Sequence, residues 1–170
     1  IRTPLSERYA KAQVEATVRL RLHSGIRTTL TAQLLNAQGQ EAAPAVMLDG
    51  AEEPLHFVMD VEQPKLWSGE SPYLYTLRLT LADGEQVYEV AQTQVGLRQV
   101  EIREGVLLLN GRRLRLRGAN RHEFCAEAGR CITREHMLED IRQIKRSNIN
   151  AVRTSHYPNS SLWYKLCDQY

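Results

Sequence analysis

Arg153, His156 and Tyr157 fall within one short stretch, Asn148 to Pro158, just after the mostly apolar segment Ile149 to Val152. The segment reads as a short buried strand whose last residues deliver a guanidinium, an imidazole and a phenol to one place. In a (β/α)₈ barrel the chemistry sits where strands end and βα loops begin, so polar side chains bunched at a strand's C-terminal edge point to substrate contact. Pro158 then stops the strand and stiffens the turn, because its ring fixes φ and withholds a donor. The structural alternative is a polar loop, satisfied by its own hydrogen bonds, after a core strand.

A second stretch has the same design. Gly118 to Glu123 reads as a strand ending in Asn120, Arg121, His122 and Glu123. After an irregular connection Thr133 is placed as an N-cap with Glu135 in the first turn, and Met137, Leu138, Ile141 and Ile144 recur at helical spacing. Ser147-Asn148 closes that helix. The strand Ile149 to Arg153 and its loop follow, then a second helix opened by Ser160 or Ser161 and carrying Leu162, Trp163 and Leu166. Strand, helix, strand, helix is the order of a parallel sheet.

Upstream the sequence consists of strand signals and turns. Val14, Ala16, Val18, Leu20 and Leu22 alternate with Glu15, Thr17, Arg19 and Arg21, as in a half-buried strand. Further strands are predicted at Thr28 to Leu35, Leu55 to Val61, Leu74 to Leu81 and Val87 to Val95, with turns at Asn36 to Gly39 and Ala82-Asp83-Gly84. This spacing predicts an immunoglobulin-like antiparallel sandwich, without the Cys-Trp-Cys pattern of an antibody domain. A hairpin, Val106 to Leu109 and Arg113 to Arg117 around Asn110-Gly111, joins the two parts, since Asn-Gly suits the two positive φ angles of a type I′ turn. Arginines on one face of its second arm read as a solvated strand face; a net charge of +2 does not fit a nucleic-acid-binding domain.

The predicted domains are a sandwich over 1–100, a linking hairpin over 101–117 and a truncated barrel domain over 118–170. A complete barrel needs about 250 residues, so a chain of 170 residues running from Ile1 to Tyr170 is expected to be an internal fragment. Cys125, Cys131 and Cys167 are too few for a disulfide framework, and free thiols fit a cytoplasmic location. His122 with Cys125 and Cys131 could suggest zinc, but the spacing matches no common site and a fourth ligand is missing. No signal peptide, membrane span or repeat is visible in the sequence.

Asn120-Arg121-His122-Glu123, the run Asn150 to Asn159, Leu162-Trp163-Tyr164 and Leu166-Cys167-Asp168 together resemble the opening of the catalytic barrel in β-galactosidases of glycoside hydrolase family 2. Pro64 to Ser68, Pro72 to Tyr75, Val95 to Arg98 and Leu107 to Gly111 are similar to the β-sandwich domain that precedes that barrel. The resemblance implies a retaining β-galactosidase, acting on terminal β-D-galactosyl residues of substrates such as lactose. It implies that His156 binds hydroxyls of the galactosyl ring, that Arg153 lies beside the nucleophile and keeps it ionised, and that Asn120, Arg121, His122 and Glu123 form the neighbouring wall. Tyr157 lines the pocket or packs beneath it. A structural network under the site is the alternative for His122 and Glu123.

A retaining glycosidase needs two carboxyl groups about 5 Å apart, and this chain offers no convincing pair. Glu123 ends a strand, Glu127 lies in a loop, and Asp140 and Asp168 sit within helices. The resemblance assigns both catalytic glutamates, and the ligands of a site Mg²⁺ with Na⁺ as a further candidate, to later barrel strands, so the fragment by itself is expected to be inactive. It also implies a homo-oligomer whose partners are the β-galactoside and the rest of its own barrel, with neither nucleic acid nor membrane. Phe124-Cys125-Ala126 departs from the family's further histidine and proline, and Glu41 to Glu53 is short for a loop that reaches a neighbouring subunit. Family 2 β-glucuronidases and β-mannosidases are related alternatives. The rival from another class is a non-catalytic sandwich module that binds carbohydrate or protein, for which Tyr73 and Tyr75 would have to form an exposed stacking platform.

Overall fold

The computed structural model describes residues 1–22, 27–51 and 54–170. In chain order the strands are β1 (Lys11–Val18), β2 (Thr29–Leu35), β3 (Val46–Asp49), β4 (Leu55–Glu62), β5 (Tyr75–Asp83), β6 (Gln86–Val95), β7 (Val100–Arg103), β8 (Val106–Leu109), β9 (Arg112–Arg113) and β10 (Gly118–Asn120). Helix α1 (Arg134–Arg146), strand β11 (Ala151–Arg153) and helix α2 (Ser161–Gln169) follow. The chain divides into two compact units, one of residues 1–101 and 109–111, the other of residues 102–108 and 112–170.

In the first unit β1 and β4 pair antiparallel from Lys11↔Glu62 to Val18↔Leu55, and a second sheet has the order β3-β2-β5-β6. Period-two patterning decides which side chains go inside. Leu55, Phe57, Met59 and Val61 of β4 are buried while the residues between them are exposed. Phe57, Met59 and Val61 join Ala12, Val14 and Ala16 of β1, Ala32 and Leu34 of β2, and Tyr75 and Leu77 of β5 in one core, while Leu55 packs with Leu30 and Leu81 in a smaller one. Each large apolar side chain buried there contributes roughly 1.5–3 kcal/mol.

Two expectations need correction. The alternation seen from Val14 to Leu22 outlasts the strand, which ends at Val18 where its partner strand β4 begins at Leu55. The stretch from Glu41, expected as a plain loop, contains β3, which pairs Val46 to Asp49 with β2; Glu52 and Glu53, also in that expectation, lie outside the described residues. Tyr75 is only 4 % exposed, its hydroxyl accepts from Lys65 N at 2.9 Å, and Tyr73 packs edge-on against it at 5.0 Å. These tyrosines hold a corner and do not form a stacking platform.

β7, β8 and β9 form a three-stranded sheet. Both of its turns have two positive φ angles, 52° and 77° at Glu104-Gly105 and 51° and 73° at Asn110-Gly111. The Asn110-Gly111 turn agrees with the sequence reading; the second arm does not, because β9 stops at Arg113 and Leu116 is 61 % exposed. Leu114 N still donates to Leu107 O at 2.8 Å before the chain leaves the hairpin.

In the second unit β10 and β11 pair in parallel, Gly118↔Ala151, Ala119↔Val152 and Asn120↔Arg153. Thr133 caps α1 as expected, and His136 completes the capping box by accepting from Thr133 N through Nδ1 at 3.2 Å. Asn148, at φ 58°, closes the helix in the left-handed conformation, with Ile149 N bonded back to Ile144 O. Met137, Leu138 and Ile141 of α1 pack with Trp163 and Leu166 of α2. No helix among the described residues is long and apolar enough to cross a membrane.

Candidate functional site

The expected strand Gly118 to Glu123 is shorter than predicted: β10 ends at Asn120, and Arg121, His122 and Glu123 lie beyond it. β11 ends at Arg153 as expected and begins two residues later than predicted, at Ala151. The ladder continues for one bond, Arg121 N to Arg153 O at 2.9 Å. Asn120 and Arg153 therefore stand opposite each other at the C-terminal edge, both exposed. The guanidinium of Arg153 has no ion-pair partner among the described residues.

Arg121 goes the other way. It is 7 % exposed, and its Nε donates to Asp140 Oδ2 of α1 at 2.8 Å while Nη1 donates to Asn159 Oδ1 at 3.0 Å. Glu123 lies 3.8 Å from Nη1, and the guanidinium stacks 3.8 Å over the ring of Trp163. Nη2 is buried without a hydrogen-bond partner. The expectation that Arg121 forms part of the site wall is thus corrected: a strand that has just ended no longer dictates alternation, and its cation turns beneath the edge. Asp140, within α1, is its counter-ion.

Glu123 is half-buried and turned away from the open side. Its Oε1 accepts from Ser160 N, at the N-cap of α2, at 3.0 Å. A carboxylate there is favoured by the helix dipole and by the unpaired amides of the first turn.

Three rings remain at the surface of this edge. His122 and His156 meet edge to face with centroids 5.4 Å apart, and Tyr157 lies 5.6 Å from His122 and 5.7 Å from His156. Both histidines are exposed and Tyr157 is half-buried. The Tyr157 hydroxyl accepts from Glu123 N at 2.8 Å and is 3.1 Å from His122 Nδ1.

The turn that presents His156 depends on Ser155, which is buried, has φ 46°, and donates from Oγ to Arg121 O at 3.0 Å. A non-glycine residue in this region carries strain of about 1–3 kcal/mol, which persists where surrounding contacts hold it and is commonest at functional sites. Asn159, also buried, ties the far end of the loop: its backbone N donates to Tyr164 Oη at 3.0 Å. The sequence assigns no role to Ser155, Asn159 or Asp140: Ser155 and Asn159 are polar residues buried by tertiary contacts, which leave no periodic signal, and Asp140 is a partly exposed helix residue like its neighbours.

Cys167 of α2 is half-buried, and burial, with Asp168 next to it, pushes its thiol up to about 11 against a weaker opposing pull from Arg121. All three cysteines are free. Among the described residues no three His, Cys, Asp or Glu side chains converge to hold a metal, so neither zinc at His122, Cys125 and Cys131 nor the implied Mg²⁺ finds a fitting donor set there.

Comparison with known proteins gives this edge a context. The family profile described as Glycosyl hydrolases family 2 matches residues 1–98, and that described as Glycosyl hydrolases family 2, TIM barrel domain matches residues 100–170. A beta-galactosidase of Halalkalibacterium halodurans is 42 % identical over 171 residues, covering 100 % of this chain and 17 % of the relative. One of Streptococcus thermophilus is 58 % identical over 106 residues, covering 62 % of this chain and 10 % of the relative. The chain spans about a sixth of the length of such relatives, 17 % for the Halalkalibacterium protein. Among solved structures, a β-glucuronidase from Ruminococcus gnavus in complex with uronic isofagomine superposes with a TM-score of 0.82 at 28 % identity, over 98 % of this chain and 26 % of that one. With one family profile covering the strand-rich unit and its barrel counterpart covering the parallel pair and its helices, the chain belongs to glycosyl hydrolases family 2.

Proposed function

We propose that this chain is part of a retaining β-galactosidase that hydrolyses terminal β-D-galactosyl residues of β-galactosides such as lactose. The observation that carries the reading is whole-chain identity of 42 % to a protein named beta-galactosidase, which exceeds the 28 % identity to the β-glucuronidase structures. In this reading the strand-rich unit is an immunoglobulin-like sandwich, and β10-α1-β11-α2 are the first two βα units of a (β/α)₈ barrel. The domains are then 1–100, 101–117 and 118–170.

His156, His122, Asn120 and Arg153 are the groups offered to the sugar, with Glu123 and Tyr157 supporting them. Imidazole and amide donors already held in place need little reorganisation when charge develops, which is how such contacts favour an oxocarbenium-like transition state over the ground state. Arg153, at the strand edge and without an ion-pair partner among the described residues, would lower the pKa of a carboxylate brought beside it and keep that nucleophile ionised. Glu123 and Asp140 are committed to Ser160 N and Arg121; the family resemblance assigns the acid/base, the nucleophile and the Mg²⁺ ligands to later barrel strands. The chain without them is inactive. The protein acts as a homo-oligomer in the cytoplasm, where its free thiols stay reduced.

His156→Ala in the full-length protein is expected to lower kcat/KM for a nitrophenyl β-galactoside about 10²-fold, mostly in kcat. Unchanged kinetics would remove His156 from the site. A native protein that prefers the nitrophenyl β-glucuronide would instead favour the β-glucuronidase reading, with which the fold shared at a TM-score of 0.82 is equally compatible.

A further inference from the structure

We infer that Tyr157 is a positioning residue that fixes the tautomer of His122, so that this imidazole offers an Nε2–H donor on the open side of its ring. The inference rests on the placing of His122 in the sugar-facing wall. It begins from one oxygen. Tyr157 Oη lies 2.8 Å from Glu123 N and 3.1 Å from His122 Nδ1. A backbone N–H can only donate, so it occupies a lone pair of the phenol oxygen. The phenol's own proton then needs an acceptor, and the acceptor within reach is His122 Nδ1.

A neutral imidazole carries one donor nitrogen and one acceptor nitrogen. With Nδ1 accepting, the proton resides on Nε2. The other tautomer would aim two donors, Glu123 N–H and Nδ1–H, at the same oxygen and leave the phenolic proton of a half-buried tyrosine without a partner. The phenol is itself held on its loop: Tyr157 N donates to Thr154 O at 3.2 Å, and Asn159 Nδ2 donates to Tyr157 O at 3.4 Å. The His122 ring itself packs edge to face against His156, at 5.4 Å and 77°.

The consequence is a directional rule for the substrate. An Nε2–H can give a proton to a sugar hydroxyl oxygen but cannot receive one, so that hydroxyl must donate its own proton elsewhere. A ring bearing a hydroxyl at that place binds with both of its hydrogen-bonding capacities used, whereas a deoxy ring leaves the donor unpaired.

Two measurements on the full-length protein test this. Neutron diffraction at neutral pH is expected to show deuterium on His122 Nε2 and a Tyr157 deuteroxyl directed at Nδ1. Deuterium on Nδ1, alone or together with Nε2, overturns the inference. Kinetically, Tyr157→Phe is expected to lower kcat/KM for a nitrophenyl β-galactoside about tenfold and to have no further effect in a His122→Phe background, where no tautomer is left to fix. An equal loss in both backgrounds overturns the positioning role, because Tyr157 would then act only through the Glu123 loop. Should His122→Phe alone leave kcat/KM unchanged, the wall itself is misplaced, and the deuterium position still decides the tautomer.

Discussion

Arg121 is held on four sides, by Asp140, Asn159, Glu123 and the face of Trp163, while one of its nitrogens stays unpartnered. A buried cation of this kind contributes little net stability while it is paired, because desolvation offsets much of the attraction, but losing its counter-ion is costly. The side chain of Asp140 is 44 % exposed, so the cost is screened relative to a fully buried pair. Asp140→Ala is expected to weaken the β10-α1-α2 region by about 2 kcal/mol, read as faster hydrogen exchange of α1 amides in the full-length protein. Exchange unchanged within a factor of a few would mean that Asn159 and Glu123 alone satisfy the guanidinium. Because Arg121 O also receives the Ser155 hydroxyl, the same residue that organises the interior sets the turn from which His156 emerges.

At the scale of elements, the two glycine turns of the β7-β8-β9 sheet separate backbone strain from packing. Gly105 and Gly111 have almost the same φ, 77° and 73°, but a Cβ at Gly105 would meet nothing within 4 Å, whereas one at Gly111 would lie 2.5 Å from Tyr9 Oη. Gly105→Ala is expected to cost about 1–2 kcal/mol, the price of a left-handed alanine. Gly111→Ala should cost at least about 1 kcal/mol more, since the Tyr9 ring must move and its 3.1 Å bond to Glu101 is lost. Urea denaturation of the two variants checks the ordering, and equal midpoints would show that Tyr9 yields freely. The Asn110-Gly111 turn was legible in the sequence and the Glu104-Gly105 turn was not, because glutamate is no habitual left-handed residue and adopts that conformation only where strands on both sides impose it. The helices were legible for the opposite reason: Thr133, Ser160 and the spacing of Met137, Leu138 and Ile141 act locally. What sequence overestimated was strand length after β9 and β10, where residues that follow a strand keep its pattern without its ladder, and before β11, which begins at Ala151.

For the molecule as a whole, the two units differ in how much each can bury by itself. The first has a core contributed by two sheets, while the second has five buried apolar residues and a parallel pair of three-residue strands. Two short strands with one helical layer are marginal without further cover. The chain expressed alone is expected to protect the amides of β2, β4 and β5 from hydrogen exchange for far longer than those of α1 and α2. Equal protection in the two units would show that the second folds independently. The candidate site was legible as a cluster, since Arg153, His156 and Tyr157 lie together in the sequence, but the division into Arg121 below and His122 above depends on packing that no motif encodes. One consequence concerns Asn150, whose Nδ2 donates to Arg115 O at 2.9 Å and whose Oδ1 accepts from Arg117 N at 2.8 Å, with its own N–H bonded to Arg117 O at 2.9 Å. Parallel strands have no turn between them to count residues, and a slip by one reverses every side chain. Asn150 does that counting. A fault at this position would leave Asn120, His122, Arg153 and His156 all present at the edge, with only their alignment wrong.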